Sequence, residues 1–187
     1  SSKSSANGGK HHQIRIRKLV MQLTHETTNF ENRQFPVILL LDNITSEANI
    51  GSIFRLADAF GVEKLIFHGT PPNLNSNRLK RTARNTHTTV DFEIYEDATQ
   101  FISDLKSSGY IMTAVEITSE SKPISDFHLE ANKILLVAGN ERHGISEEIL
   151  KNCDSAYHIE MFGKNSSMNV AQSLGIALYE ITKVLRS

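Results

Sequence analysis

Three short polar segments carry the residue types that could do chemistry. Asp42–Arg55 reads DNITSEANIGSIFR, Gly139–Gly144 reads GNERHG, and Phe162–Asn169 reads FGKNSSMN. In the first, Asn49, Gly51 and Ser52 open a helical pattern, and a helix N-terminus turns unpaired N–H groups toward an anion. Arg55 follows about 1.7 turns after Asn49 and falls off the apolar stripe, so it projects away from the core. In the second, two glycines bracket a carboxylate, Glu141, and a cation, Arg142; glycine permits tight backbone geometry and close approach of a ligand. In the third, Ser166, Ser167 and Asn169 stand just before a long apolar helix and are good cap residues. Taken singly, each segment also reads as ordinary structure: a capped helix with a surface arginine, a strand–helix turn, a helix cap.

Other chemistries lack their signatures. There is no G-x-G-x-x-G fingerprint and no G-x-x-x-x-G-K-[ST] loop, which argues against a dinucleotide-dependent reductase or a P-loop enzyme. There is no G-x-S-x-G nucleophile elbow. The eight His residues are scattered without ligand spacing, so no metal is expected. Cys153 is alone and lies in or at the end of a helical pattern, where it reads as packing.

The polar segments follow strand-like runs. Pro36–Leu41 (PVILLL), Lys64–His68, Val90–Ile94, Tyr110–Val115, Ile134–Ala138 (ILLVA) and Tyr157–Met161 read as strands. Asn49–Phe60, Glu96–Lys106, Ser146–Lys151 and Asn169–Leu185 read as helices by their apolar spacing. Ile16, Leu19, Val20 and Leu23 give residues 14–30 a helical spacing as well. Strands apolar on both faces, separated by helices, predict an α/β fold with a mostly parallel sheet flanked by helices. Ligands of such sheets bind beyond the carboxyl ends of the strands. That directs attention to residues 42–55, 69–87, 116–121, 139–144 and 162–169.

The chain has 187 residues, 20 Lys and Arg against 21 Asp and Glu, and a net charge of -1. It is sized for one main domain, 35–187, preceded by a flexible basic segment, 1–34, with a short helix. No apolar run approaches membrane-spanning length, no secretory signal is visible, and the lone cysteine fits a cytoplasmic, reducing compartment. The near-neutral total hides a segregation. Nine of the 20 bases lie in two acid-free segments, residues 1–25 (Lys3, Lys10, Arg15, Arg17, Lys18) and 71–90 (Arg78, Lys80, Arg81, Arg84). The remainder stands at 11 bases against 21 acids, or -10. Acid-free basic segments suit phosphate contact, although a solvated tail and loop would look the same.

Taken together, the three polar segments resemble the three signature motifs of the SpoU/TrmH family, RNA ribose 2′-O-methyltransferases of the SPOUT superfamily. The first motif resembles Asn49-Ile-Gly-Ser-Ile-Phe-Arg55 with Ala57-Asp-Ala-Phe-Gly61. The second resembles Gly139-Asn-Glu-Arg-His-Gly-Ile145. The third resembles Ile159-Glu-Met-Phe-Gly163, Ser167-Met-Asn-Val170 and Gly175-Ile176. The match runs in register from Phe35 to Arg186. Met168 stands where Leu is usual and Glu160 where Pro is common.

The resemblance implies a C-terminal deep trefoil knot, S-adenosylmethionine as cofactor, tRNA or rRNA as substrate, and a homodimer with neither metal nor membrane. It places Arg55, Asn49, Glu141, Ser167 and Asn169 in the catalytic centre. It places Gly139, Ile159 and Met168, with Val115, Met161 and Gly144, around the cofactor. Arg78, Lys80, Arg81 and Arg84 are then expected to grip RNA phosphates. A guanidinium stays protonated in proteins, so Arg55 is expected to position a phosphate and stabilise a developing alkoxide more readily than to act as a base. The alternatives are a knotted RNA-binding module without catalysis and an unrelated nucleotide-binding α/β enzyme.

Overall fold

The computed structural model describes residues 22–187. The chain divides into an N-terminal unit, residues 1–31, and a body, residues 32–187. In the described part of the first unit one 3-10 turn forms, His25–Thr27. The helix expected over residues 14–30 gives only this turn from residue 22 onward. The reason is local: the Thr27 and Thr28 hydroxyls donate to the Thr24 carbonyl at 3.1 and 2.8 Å, satisfying groups a helix would use. Ile16, Leu19, Val20 and the five bases Lys3, Lys10, Arg15, Arg17 and Lys18 lie outside the described residues.

The body carries seven strands: β1 (Phe35–Asp42), β2 (Val62–His68), β3 (Phe92–Tyr95), β4 (Tyr110–Val115), β5 (Lys122–Pro123), β6 (Lys133–Gly139) and β7 (Ser155–His158). All pair in parallel, in the order β3-β2-β1-β6-β4-β7-β5. Five helices complete it: α1 (Glu47–Ala59), α2 (Asn77–Ala83), α3 (Thr99–Ser107), α4 (Glu147–Leu150) and α5 (Val170–Leu185). Strand side chains alternate between faces, so the sheet carries two cores. Val37, Leu39 and Leu41 of β1 pack with Ile50, Ile53 and Phe54 of α1 and with Leu174, Leu178 and Ile181 of α5. Ile38 and Leu40 pack on the other face with Ile102 of α3 and Ile149 of α4. This is the α/β architecture that the apolar runs predict.

Three local outcomes differ from the sequence reading. The basic stretch expected as a loop contains α2, started by Ser76, whose Oγ accepts from Leu79 N–H at 3.2 Å. Only Leu79 and Ala83 of α2 are buried, too sparse a stripe to reveal its period. The last strand ends at His158 rather than Met161, because its neighbours stop: β4 pairs only to Tyr157 and β5 only to His158. Residues 159–161 are thereby freed from the ladder. The two-residue strand β5 carries no periodic signal.

Candidate active site

The carboxyl ends of β6, β4 and β7 and the starts of α1 and α5 enclose a cavity of about 510 Å³. Its walls include Val115 from β4, Gly139 from β6, His158 and Ile159 at the end of β7, Asn49 on α1 and Asn169 at the cap of α5. β1 and β6 are adjacent while the chain leaves toward opposite edges, the kind of switch point where open α/β sheets bind ligands.

One chain of hydrogen bonds joins the three polar segments at this cavity. Asn169 Oδ1 accepts from the N–H groups of Ala171 and Gln172 at 2.9 and 3.2 Å, capping α5. That use of its oxygen turns its amide nitrogen outward, where it donates to Asn49 Oδ1 at 2.9 Å. Asn49 in turn donates to Glu141 Oε1 at 3.3 Å. The same carboxylate accepts from Ser46 N–H at 2.9 Å and from Thr45 N–H at 3.3 Å, just ahead of α1. Burial pushes the Glu141 carboxyl up, but the bonds from Ser46, Asn49 and Thr45 outweigh it and hold it below its ordinary value. A carboxylate there also faces the positive end of the α1 dipole.

The turn carrying Glu141 is rigid for a backbone reason. Asn140 and Gly144 exchange N–H···O bonds at 3.0 and 2.9 Å. Asn140 Oδ1 also accepts from Arg142 and His143 N–H at 2.9 and 3.1 Å, and its nitrogen donates to the Asn43 carbonyl at 2.7 Å. Gly144 sits at φ +69°, and a Cβ on Gly139 would run into the Gly144 backbone. Both glycines are therefore required by the closure. Behind the turn, Asp42, only 1% exposed, accepts from Ser146 N–H at 2.6 Å and bonds His68 Nδ1 at 2.8 Å. It ties the ends of β1 and β2 to the start of α4.

Of the residues singled out from sequence, Asn49, Glu141, Ser167, Asn169, Val115, Gly139, Gly144, Ile159, Met161 and Met168 all line the cavity. Arg55 does not. It lies on α1 about 9 Å of rise and about 120° of turn from Asn49, exposed and without an ion pair among the described residues. Arg78, Lys80, Arg81 and Arg84 are exposed on α2 and at its end, away from the cavity wall. α2 is seated on α1: Glu47 accepts from Ser76 Oγ and Asn73 Nδ2 at 2.5 and 3.3 Å, and Gly51 has no room for a Cβ beside Leu79 O and Ala83 N.

Sequence reading missed Glu116, His158, Asn165 and Ser173, which also line the cavity. Glu116 and Asn165 lie within the stretches 116–121 and 162–169 that the sequence flagged, though neither was singled out; His158 and Ser173 lie inside the expected strand Tyr157–Met161 and helix Asn169–Leu185, where nothing marked them. Cys153 packs half-buried against the second core, as its spacing indicated. Among the described residues no cluster of three His, Cys, Asp or Glu gathers, and no helix is long and apolar enough to cross a membrane.

Known proteins share both the sequence pattern and the architecture. The sequence model of the SpoU rRNA Methylase family matches residues 36–179. The chain is 31% identical to a tRNA (guanosine(18)-2′-O)-methyltransferase of Aquifex aeolicus, over 80% of this chain and 70% of that one. It is 31% identical to a 23S rRNA (guanosine-2′-O-)-methyltransferase of Neisseria meningitidis, over 78% of this chain and 57% of that one. The structure of the A. aeolicus TrmH/SpoU tRNA modifying enzyme superposes with a TM-score of 0.74 at 30% identity, covering 83% of this chain and 78% of that chain. The SpoU methyltransferase AviRb of Streptomyces viridochromogenes, solved with AdoMet, superposes with a TM-score of 0.73 at 26% identity, over 83% of this chain and 60% of that one. The family match spans the sheet, the cavity and all three polar segments that the Asn169–Asn49–Glu141 chain links, and the protein belongs to the SpoU rRNA methylase family.

Proposed function

We propose that the protein transfers a methyl group from S-adenosylmethionine to a ribose 2′-hydroxyl of tRNA or rRNA. The observation that carries this reading is the Asn169–Asn49–Glu141 chain, which draws three sequence-distant segments to one cavity. The cavity suits the cofactor. About 510 Å³ lies within the range of small-molecule sites. Its lining pairs apolar Val115, Ile159, Met161 and Met168 with polar Asn165 and Ser167, as an amphipathic nucleoside requires. Gly139, Gly144, Ile159 and Met168, with Val115 and Met161, would hold it. When bound, the cofactor supplies an activated methyl group on its sulfonium and its own leaving group.

The chain's part is then positioning and charge. Transfer needs the ribose hydroxyl held in line with the methyl group, and such orientation accounts for much of a two-substrate reaction's barrier. Asn49, Ser167 and Asn169 present amide and hydroxyl groups at the cavity wall for this purpose. Glu141 fixes the Asn49 amide. Arg55, exposed on α1 and off the cavity wall, meets an RNA phosphate and so helps fix where the ribose enters the cavity. Arg78, Lys80, Arg81 and Arg84 on α2 extend the cationic surface along the RNA backbone.

The reading includes a C-terminal deep trefoil knot, a cytoplasmic location and a homodimer. Exposed Ile176 and Tyr179 on α5, 39% and 54% accessible, supply an apolar patch for a second copy. Labelled methyl transfer from S-adenosylmethionine to total RNA tests the proposal, with nuclease mapping for 2′-O-methylation. Wild type is expected to label RNA, and Arg55→Lys to lose most of that activity because the planar fork is gone. RNA binding without transfer would identify an inactive binding module instead.

A further inference from the structure

Glu116 is a carboxylate in the cavity to which the reading above gives no task. It follows Val115 at the end of β4, and β4 lies between β6 and β7. Glu116 therefore stands between the strand ends that present Gly139 and Ile159. Its side chain is fixed before any ligand arrives. Ile117 N–H donates to Oε1 at 3.0 Å and Ile145 N–H donates to Oε2 at 3.2 Å. A carboxylate offers about four lone-pair sites, so each oxygen retains an acceptor site. Glu141, the other acid lining the cavity, has its oxygens engaged by Thr45, Ser46 and Asn49.

A half-buried carboxylate with two oriented oxygens and apolar neighbours selects a ligand with two adjacent donors. The vicinal hydroxyls of a ribose are such donors, and a nucleoside held between the ends of β6 and β7 brings them over β4. We infer that Glu116 accepts hydrogen bonds from the ribose diol of the bound cofactor. The inference rests on the cofactor reading above and deepens it. It adds a binding residue at a position that none of the three motif segments contains.

The test is calorimetric binding of S-adenosylhomocysteine and of its 2′-deoxy and 3′-deoxy forms to wild type, Glu116→Ala and Glu116→Gln. Within each protein the ratio of deoxy to parent Kd is compared, so any general loosening of the Gly144 turn cancels. In wild type at least one deoxy form is expected to bind about 10- to 100-fold more weakly, the range for a hydrogen bond to a charged acceptor. In Glu116→Ala that ratio falls to near one, and Glu116→Gln lies between. An unchanged ratio in Glu116→Ala overturns the inference and leaves Glu116 a loop anchor. So does a wild-type ratio near one. If the ratio that collapses in Glu116→Ala is instead that of 5′-methylthioadenosine to S-adenosylhomocysteine, the carboxylate faces the amino-acid end and the inference is wrong. Failure of wild type to bind S-adenosylhomocysteine at all overturns the cofactor reading and this inference with it.

Discussion

Replacing Glu141 by Ala should loosen the start of α1 and misplace Asn49 together. The carboxylate accepts from Ser46 N–H at 2.9 Å and, at 3.3 Å each, from Thr45 N–H and Asn49 Nδ2. Hydrogen bonds to charged acceptors contribute about 1.5–3 kcal/mol each when well formed, and less where water can substitute. The favourable placement at the helix N-terminus adds about 0.3–1 kcal/mol. The Thr45 hydroxyl adds a fourth bond at 3.4 Å; with an exposed side chain and three of the four bonds long, the net loss should be about 2–3 kcal/mol. For a chain of this size each kcal/mol moves Tm by about 2–4 °C, so Glu141→Ala should melt about 4–12 °C below wild type in scanning calorimetry at neutral pH. Asn49 keeps its partner Asn169 but loses the far end of its tether. A displacement near 1 Å costs about 100-fold in rate, so methyl transfer should fall about that much while cofactor affinity changes far less. The sign of the pH effect follows from the lowered carboxyl. Its contribution is fully present above the ordinary value of 4.5 and is lost as pH falls through the lower folded value. The wild-type minus Glu141→Ala stability difference should therefore shrink only under acid. A variant melting within a degree of wild type, or losing rate only in proportion to cofactor affinity, would refute the tether.

Other expectations follow from the same geometry. Reversing Arg78 and Arg81 to Glu should weaken RNA binding and reduce the slope of log K against log salt by about 1.5 or more, with cofactor binding intact; an unchanged slope makes α2 a solvated face. Gly51→Ala would push a Cβ to 2.5 Å from Leu79 O, backbone that no rotamer change can clear. It should cost about 1–3 kcal/mol in thermal unfolding and lower RNA affinity more than cofactor affinity by displacing α2. Cys153, whose thiol burial pushes up to about 12, should resist iodoacetamide at pH 8 in the native protein and react on unfolding. Complete native labelling within minutes would contradict that burial.

The chain order of the main elements was legible because their signals are local. β1 and β6 are continuous apolar runs, α1 and α5 carry a 3.6-residue apolar stripe, and Gly61 closes α1 at φ +60°. The end of the sheet that carries the cavity was legible too, since parallel strands place their following loops at one end. α2 was not, because two buried residues make no period and its register depends on Gly51 and Glu47 of α1, some 30 residues earlier. Nor was the end of β7, which depends on where β4 and β5 stop.

The residues around the site divide in the same way. Asn49, Glu141 and Asn169 were visible as polar residues at strand–helix junctions and in motifs that resemble a family. Their assembly into one directed chain was not visible, because it spans 120 residues from Asn49 to Asn169. The direction comes from the cap of α5, which commits the Asn169 oxygen and leaves its nitrogen for Asn49. Glu116 bore no sequence signal beyond its place after a strand; its orientation comes from Ile145 N–H across the sheet end. Sequence by itself determined the main strands and helices, the cationic segments and the family, since each is written in local pattern and spacing. Tertiary structure alone decided which polar groups face the cavity, which are consumed in holding the loops, and that Arg55 stands apart from it. Those outcomes follow from strand order and from competition for hydrogen bonds between residues far apart in the chain.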